Sequence, residues 1–190
     1  MEEIIPEKTD EEIAILVQQG NSEMFGILMS RYKNKFFRYG RKLLPYMDNI
    51  EDIVQDIFIK TYENIQSFDV SQKFSPWIYR IAHNEFVNAL RKKVRTPYKL
   101  VNFDSILSHP IYDDPAVVER ERKDVQVLLD KELDKIPPLY REALILQYIE
   151  DLSYKEIADV LHIPIGTVGI RLKRGKEILK EMYLNKPHHE

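Results

Sequence analysis

The chain has 190 residues, of which 44% are hydrophobic and 31% charged, and it contains no cysteine. This composition excludes a wholly disordered chain, and the lack of cysteine excludes disulfides and thiolate metal sites. The formal net charge of −3 excludes a polycation, so any contact with nucleic acid has to come from local basic patches. No apolar run approaches the roughly 18 residues of a membrane span, and the first residues lack the pattern of a signal peptide, so we expect a cytoplasmic protein without membrane insertion.

Apolar residues recur three and four positions apart along most of the chain, which predicts an all-α fold, and no strand-like alternation competes with this pattern. Thr9 or Asp10 is expected to cap the first helix. Pro45 should end the second helix, and Ser75-Pro76 should open the fourth, since proline is tolerated in a first turn. Further helices are predicted over residues 22–44, 51–65, 75–93, from 116 onward, 139–149, 153–161 and 167–183.

Charge is segregated along the chain. Residues 48–69 contain six acids and one base, whereas residues 73–95 contain six bases and one acid. A second basic stretch, over residues 165–180, contains five bases and one acid. From residue 96 to about residue 115, prolines and acidic residues interrupt the helical pattern, which is typical of a linker.

The C-terminal segment is predicted to form a helix-turn-helix. Ser153 and Glu156 have the spacing of a capping box, and Thr167 is expected to cap the next helix after a short turn. On a helical wheel, one face of that last helix is apolar and should pack on the helix before it. The members of this face are Val168, Leu172, Gly175 and Leu179.

The opposite face of the last helix is basic. It consists of Ile170, Lys173, Arg174 and Glu177, flanked by Arg171 and Lys176. Lysine and arginine contact phosphates, arginine also reads guanine, and an exposed isoleucine can meet a thymine methyl group in the major groove. An ordinary amphipathic helix with a solvated basic face is the alternative at this point.

The acidic stretch carries a polar helix face. Asp52, Gln55 and Asp56 are spaced so that their side chains share one side of a helix. Two interpretations stay open, namely a solvated helix surface and a docking face for a basic partner.

The basic stretch that follows interleaves aromatic residues with cations. These residues are Lys73, Phe74, Trp77, Tyr79, Arg80, Phe86, Arg91, Lys92 and Lys93. The mixture favours single-stranded nucleic acid, in which bases stack on rings while cations neutralise phosphates. The alternative is that Trp77, Ile78 and Ile81 belong to the core. His83 has no partner at metal-ligand spacing, and Asn84 either hydrogen-bonds a base or has no role.

The sequence contains no recognisable catalytic constellation. There is no glycine-rich phosphate loop, no defensible Ser-His-Asp pattern and no cluster of histidine and acid with metal spacing. We therefore expect no catalytic residue, no metal and no cofactor.

Six short motifs follow one another along the chain. They are EDIVQDIFIK over 51–60, FD over 68–69, FSPWIYRIAHN over 74–84, IPPLYREA over 136–143, LSYKEIA over 152–158 and IPIGTV over 163–168. Each motif alone is moderately specific. Together and in this order they resemble the extracytoplasmic-function (ECF, group 4) sigma factors, which belong to the sigma-70 family of bacterial RNA polymerase.

The resemblance implies two small helical domains joined by a flexible linker. These are sigma2 over residues 9–95, the linker over 96–120, and sigma4, with the helix-turn-helix, over 121–186. The expected function is to bind the polymerase core, through its β′ clamp and β flap, and to direct promoter-specific initiation, for example in a stress response. Catalysis would belong to the polymerase, so the chain would not be an enzyme, and an anti-sigma factor is an expected further partner.

The resemblance also assigns roles to individual residues. Those that would dock on the β′ clamp are Asp52, Gln55 and Asp56. Those that would open and read the −10 element are Lys73, Phe74, Trp77, Tyr79, Arg80, Asn84, Arg91 and Lys92, with Asn84 capturing a flipped-out base. Those that would read the −35 duplex are Thr167, Ile170, Arg171, Lys173, Arg174 and Lys176. A linker of about 20 residues reaches up to about 70 Å, which exceeds the roughly 55 Å between the two elements in the family.

Some positions depart from the usual family pattern, and they leave the promoter sequence open. They are Asn88, Ala89, Gly169, Ile170 and Gly175. Two other classes of protein stay in view. A helix-turn-helix regulator that binds duplex DNA alone leaves the acidic helix unexplained, and a helical adaptor leaves the basic face unexplained. Compact and extended arrangements of the two domains are both open.

Overall fold

The computed structural model describes residues 8–93 and 133–184, which form seven α-helices and no strand. The helices are α1 Asp10–Gln18, α2 Phe25–Leu43, α3 Ile50–Asn64, α4 Phe74–Lys93, α5 Pro138–Leu144, α6 Tyr154–Leu161 and α7 Ile165–Leu184. The predicted all-α class is confirmed. The expected linker and the helix expected from residue 116 onward lie mostly or wholly outside the described residues. We call the described residues 8–93 the N-terminal domain and residues 133–184 the C-terminal domain.

An aromatic core holds α2, α3 and α4 together. The ring centroid of Phe36 lies 5.6 Å from that of Phe58 on α3 and 5.3 Å from that of Tyr79 on α4. One turn earlier on α2, Tyr32 contacts Phe74 at a centroid distance of 5.8 Å. All five rings are buried. Such ring pairs contribute about 0.5–1.5 kcal/mol each beyond the burial of apolar area, so they fix α4 firmly against its neighbours.

Local signals set the ends of the N-terminal helices. The hydroxyl of Thr9 accepts a hydrogen bond from the backbone N–H of Glu12 at 3.2 Å, and the Glu12 carboxylate accepts one from the N–H of Thr9 at 2.8 Å. Thr9 is therefore the cap of α1. The helix predicted from residue 22 begins as a 3-10 turn and becomes α-helical at Phe25. It ends at Leu43, just ahead of Pro45.

The C-terminal domain contains the predicted helix-turn-helix, formed by α6 and α7. The hydroxyl of Ser153 accepts from the N–H of Glu156 at 3.3 Å, and the Glu156 carboxylate accepts from the N–H of Ser153 at 2.7 Å, which confirms the capping box. The predicted cap at Thr167 is wrong. The last helix begins at Ile165, because the carbonyl of Pro164 already accepts the N–H of Thr167 at 2.9 Å.

The apolar stripe of α7 is buried, as its spacing predicts. All four predicted members of the stripe face inward. At Gly175, a Cβ atom would lie 2.7 Å from Cδ1 of Leu144 on α5, which is closer than real side chains approach. The departure from the family pattern at Gly175 therefore has a physical reason, since glycine lets Leu144 pack directly on the backbone of α7.

The two domains pack directly on each other. Helix α6 lies along α4, and the buried apolar residues of the described ranges form one cluster that includes both domains. The buried guanidinium of Arg141 adds a polar link, because its Nη1 donates to the carbonyl of Leu43 at the end of α2, at 3.2 Å. Of the two arrangements that the sequence leaves open, the structure has the compact one. None of the helices in the described ranges is both long and apolar enough to cross a membrane.

Two glycines of α2 form a matched pair for testing this packing. A Cβ atom at Gly40 would lie 2.6 Å from the ring of the buried Phe86, whereas a Cβ atom at Gly26 would meet nothing within 4 Å. We expect Gly40→Ala to lower the free energy of unfolding by about 1–3 kcal/mol, because the ring has to move. Gly26→Ala should leave it unchanged or raise it by up to about 1 kcal/mol. Urea denaturation measures both, and an unchanged midpoint for Gly40→Ala would contradict the described packing.

Candidate nucleic-acid interface

A polar strip runs along the outer side of α3. Asp52, Gln55 and Asp56 are all exposed on this side, while Ile53 and Ile57 point into the core. Exposed carboxylates are accessible to a partner, and their negative charge attracts a basic surface. The geometry therefore suits a docking face for a positively charged surface.

Two apolar side chains extend this strip by one turn, and sequence analysis missed them. Ile59 is 55% exposed and Tyr62 is 46% exposed. They continue from Gln55 at spacings of four and three residues, so the signal that predicts the polar face would also have found them. The outer side of α3 is thus acidic at its start and apolar towards its end.

Helix α4 and the residue before it carry the aromatic-basic residues, and only part of this set reaches the surface. Lys73, Asn84, Arg91 and Lys92 are exposed. Trp77 and Arg80 are half-buried. The exposed members supply three cations and one amide, which are the groups that contact phosphates and base edges.

The structure corrects two assignments on α4. Phe74 and Tyr79 are buried, with 0% and 1% of their surface exposed. Neither ring can stack on a base in this arrangement, because both are enclosed by the aromatic core. Ile78 is also fully buried, as the core alternative for this helix predicts. Trp77 lies between the core and the surface. Its ring packs on Phe68 at a centroid distance of 5.2 Å, but the residue is only half-buried.

The basic face of α7 is open at its centre. Lys173 and Arg174 are exposed, and Arg174 pairs with Glu177 on the same helix at 3.0 Å. The remaining predicted members, which are Thr167, Ile170, Arg171 and Lys176, are half-buried. An exposed intrahelical ion pair contributes little stability, so the cations of this face can exchange it for phosphate oxygens.

Lys73, one of the predicted DNA-contacting residues, forms an ion pair with the C-terminal domain. The Nζ atom of Lys73 lies 2.8 Å from Oε1 of Glu156, the residue that also completes the capping box of α6. The ion pair raises the pKa of Lys73, so the amine stays charged.

A buried polar cluster lies between the domains, and we call it the carboxylate cluster. Its members are Glu142 and Glu150 of the C-terminal domain and Arg38, Tyr39, Tyr79 and His83 of the N-terminal domain. Glu150 is the first centre. Its side chain is 0% exposed, and it accepts from Nε and Nη2 of Arg38, each at 3.0 Å, and from the hydroxyl of Tyr79.

Glu142 is the second centre of the carboxylate cluster. Its Oε1 atom accepts from the hydroxyl of Tyr39 at 2.7 Å and lies 2.5 Å from Nδ1 of His83. Every one of these donors comes from α2 or α4, and both acceptors come from the C-terminal domain. The cluster is therefore a contact between domains and not a feature of either one.

Irregular backbone directs Glu150 towards the N-terminal domain. Residues Ile145–Ile149 form a π-helical segment, and the N–H of Glu150 donates to the carbonyl of Ile145 at 3.0 Å. The next residue, Asp151, has a φ of 63°, which non-glycine residues rarely adopt. The wide π turn changes the direction in which the following side chain points, and such segments recur at functional sites.

The charges of the cluster are fixed by its surroundings. Burial and the neighbouring Glu150 raise the pKa of Tyr79, and burial and the neighbouring Glu142 raise the pKa of Tyr39, so both hydroxyls keep their protons and donate. Burial by itself would raise the pKa of Glu142. The charge and hydrogen bond of His83, the bond from Tyr39 and the charge of Arg171 together outweigh burial and lower this pKa.

Sequence analysis missed the carboxylate cluster because its partners are far apart in the chain. His83 and Glu142 are separated by 59 residues, and Tyr39 and Glu142 by 103. The usable signal is indirect. Tyr39 and Tyr79 occupy core positions on α2 and α4, and a buried tyrosine hydroxyl needs an acceptor.

Comparison with known proteins places these features in a family. The model of sigma-70 region 2 matches residues 28–96, and the model of sigma-70 region 4 matches residues 126–179. The ECF RNA polymerase sigma factor SigW of Bacillus subtilis strain 168 is 34% identical over 174 residues, a match that covers 87% of this chain and 91% of SigW.

Two solved structures share the fold over most of the chain. CnrH, in complex with the cytosolic domain of CnrY, aligns with a TM-score of 0.69 and 22% identity, covering 95% of this chain and 100% of CnrH. The sigma factor RpoE of Bartonella quintana, in complex with the anti-sigma factor NepR, aligns with a TM-score of 0.61 and 23% identity, covering 86% of this chain and 98% of RpoE.

The two matched regions define a sigma factor of the sigma-70 class, which supplies promoter specificity to RNA polymerase. The chain belongs to the ECF RNA polymerase sigma factors, and it directs promoter-specific transcription initiation.

The lowered pKa of Glu142 predicts how acid affects the compact arrangement. A carboxyl group with a depressed pKa stabilises the folded state above its ordinary value, near 4.5, and this contribution disappears as the pH falls through the depressed value. As the pH is lowered from about 4.5, the free energy of unfolding of the unchanged protein should decrease. We expect this decrease to be less steep in Glu142→Gln, which has no carboxyl group to protonate at this position.

Tyr39→Phe provides the graded control, since it removes one of the hydrogen bonds that depress the pKa of Glu142. Its pH dependence should lie between those of Glu142→Gln and the unchanged protein. Urea titrations at several pH values give the three slopes. Identical slopes would show that Glu142 does not carry the acid sensitivity.

Proposed function

We propose that the chain binds the RNA polymerase core through α3 and reads promoter DNA through α4 and α7. The proposed units are sigma2 over residues 9–95, a linker over 96–120 and sigma4 over 121–186. The observation that carries the proposal is the presence of two exposed surfaces of opposite charge, the acidic strip of α3 and the basic face of α7, on one chain of this family. One surface suits a protein partner that is basic, and the other suits phosphates.

The docking face for the polymerase consists of Asp52, Gln55 and Asp56, and its partner is the β′ clamp. The exposure of all three side chains on one side of α3 supports this role. A second contact, between the C-terminal domain and the β flap, follows from family membership. The core carries out catalysis, so the chain itself has no catalytic residue, and it acts in the cytoplasm, where the polymerase is.

The −10 surface lies on the outer side of α4. Its members are Lys73, Trp77, Arg80, Asn84, Arg91 and Lys92, and their exposed or half-buried placement supports the role. Phe74 and Tyr79 are left out because the core encloses them. An exposed amide such as that of Asn84 can hydrogen-bond a base that has left the stack, which melted DNA supplies.

The −35 surface lies on α7. Lys173 and Arg174 contribute its exposed cations, with Thr167, Ile170, Arg171 and Lys176 beside them. The support is the helix-turn-helix geometry, in which α6 packs behind α7 and leaves the basic face outward. Such a second helix enters the major groove.

A regulatory partner of the anti-sigma class completes the proposal. The complex of RpoE with the anti-sigma factor NepR, whose sigma factor shares the present fold, supports this class of partner. Its binding would compete with the polymerase for the exposed strip of α3.

A transcription-initiation assay with the polymerase core tests the docking face on α3. Asp52→Lys combined with Asp56→Lys should reduce core binding and promoter-specific transcripts in parallel, by about tenfold or more, because two attractive charges become repulsive. Pull-down with core polymerase and a run-off assay measure the two effects. Glu23→Lys, an exposed reversal outside this face, is the control and should change neither.

The same assay separates the remaining classes of protein. A duplex-binding regulator would bind the promoter without core, and an adaptor would bind neither core nor DNA. Core binding that is unaffected by the α3 reversal, together with normal initiation, would contradict the proposed docking face.

Salt dependence tests the −35 face. Lys173→Ala and Arg174→Ala should each weaken binding of the holoenzyme to promoter DNA, and each lost phosphate contact should reduce the slope of log K against log salt by about 1. A base contact by Arg174 would add about 1–3 kcal/mol of discrimination at one position. Filter binding over a salt series measures both quantities. Lys33→Ala, which removes an exposed cation of α2, is the control, and an equal effect of all three substitutions would rule out a specific face on α7.

A further inference from the structure

We propose that the carboxylate cluster is a latch that holds the free sigma factor in a closed state, and that losing the contacts of Glu142 and Glu150 opens it for promoter binding. This inference rests on the function proposed above and adds the regulation of the same surfaces. The latch belongs to the chain itself and needs no further protein to form.

The geometry of the cluster fixes one relative orientation of the domains. Glu150 binds Arg38 through two parallel N–H groups, and such paired bonds are directional as well as strong. Glu142 adds a second anchor on another helix, where it meets Tyr39 and His83. Two separate anchors prevent rotation about either one, so the C-terminal domain is held along α4.

The closed state is poorly arranged for DNA. Tyr79 and His83 face the C-terminal domain from α4, the helix that also carries the proposed −10 residues. Lys73, which belongs to that set, is engaged by Glu156 at 2.8 Å. Helix α6 packs on both α4 and α7, so the helices that carry the −10 and −35 surfaces are separated by one helix. Since packed helices lie about 8–10 Å apart, the axes of α4 and α7 are at most about 20 Å apart. Elements separated by roughly 55 Å of duplex cannot both be contacted from this state.

The chemistry of the latch allows it to open. When the intact pair separates, both charges regain hydration, so opening is not prohibitively costly. Removing only one partner destabilises the closed state, because the other partner is left without compensation. Arg38 is already 44% exposed in the closed state. Glu156 would keep its capping bonds to Ser153 after the loss of Lys73, so the helix-turn-helix would stay folded when the domains part.

Small-angle scattering on the full chain tests the latch without polymerase. The combined variant Glu142→Gln, Glu150→Gln should show a larger radius of gyration than the unchanged protein, with equal helix content by circular dichroism. Its affinity for a promoter fragment that carries both the −35 duplex and a single-stranded −10 element should rise by about tenfold if the closed state outweighs the open one by ten to one. The closed state cannot contact both elements, so the apparent dissociation constant for this fragment scales with the open fraction.

Two further variants make the result decisive. Arg38→Gln removes one partner of Glu150 at a partly exposed position, so it tests the latch even if the double variant does not fold. Glu23→Gln removes an exposed carboxylate outside the cluster and should match the unchanged protein. A folded double variant or Arg38→Gln variant with an unchanged radius would overturn the proposal, as would expansion without tighter DNA binding.

Failure of the latch and failure of the proposed function can be told apart. If the unchanged protein fails to support initiation with core polymerase, the sigma assignment of the surfaces fails while the scattering result stands. If initiation succeeds and the radius does not respond, the latch alone fails.

Discussion

A carboxylate that is removed from water needs donors, and in this chain the donors for Glu142 and Glu150 belong to the other domain. This requirement organises much of what the structure shows. It accounts for Tyr39 and Tyr79 at core positions of α2 and α4, and for Arg38 at a partly exposed position of α2. It also accounts for His83, whose partner Glu142 is distant in the sequence. The π-helical segment Ile145–Ile149 serves the same requirement, because it aims the following carboxylate across the interface.

The acidic and the basic surfaces lie on separate helices, and oppositely charged residues also meet between the domains. The acidic side of α3 and the basic side of α7 both face solvent, while Lys73 and Glu156, from differently charged parts of the sequence, meet across the interface. The near-neutral net charge of −3 is therefore an average over surfaces with different partners. Such a near-neutral chain has little long-range attraction for DNA by itself.

The helices were predictable because their capping and packing signals lie within a few residues of each other. The interface between the domains was not predictable, because its partner residues are far apart in the sequence. Thr9 and Ser153 each have their capping partner three residues away, so the sequence is enough to find both helix starts. The buried stripe of α7 and the exposed face of α3 follow from helical spacing in the same way. Phe74 and Tyr79 were misassigned because an aromatic residue next to cations gives the same sequence pattern whether its ring stacks on a base or packs in the core. Only the tertiary packing against Tyr32 and Phe36 distinguishes the two cases.

The interdomain pairing has a consequence for how such chains can diverge. Arg38, Tyr39 and His83 have their complements in Glu142 and Glu150, more than 50 residues further along. A chimera that joins the first half of this factor to the second half of a relative would lose the match between these residues. The two halves are thus inherited most safely as a pair, and compensating changes should be sought across the interface.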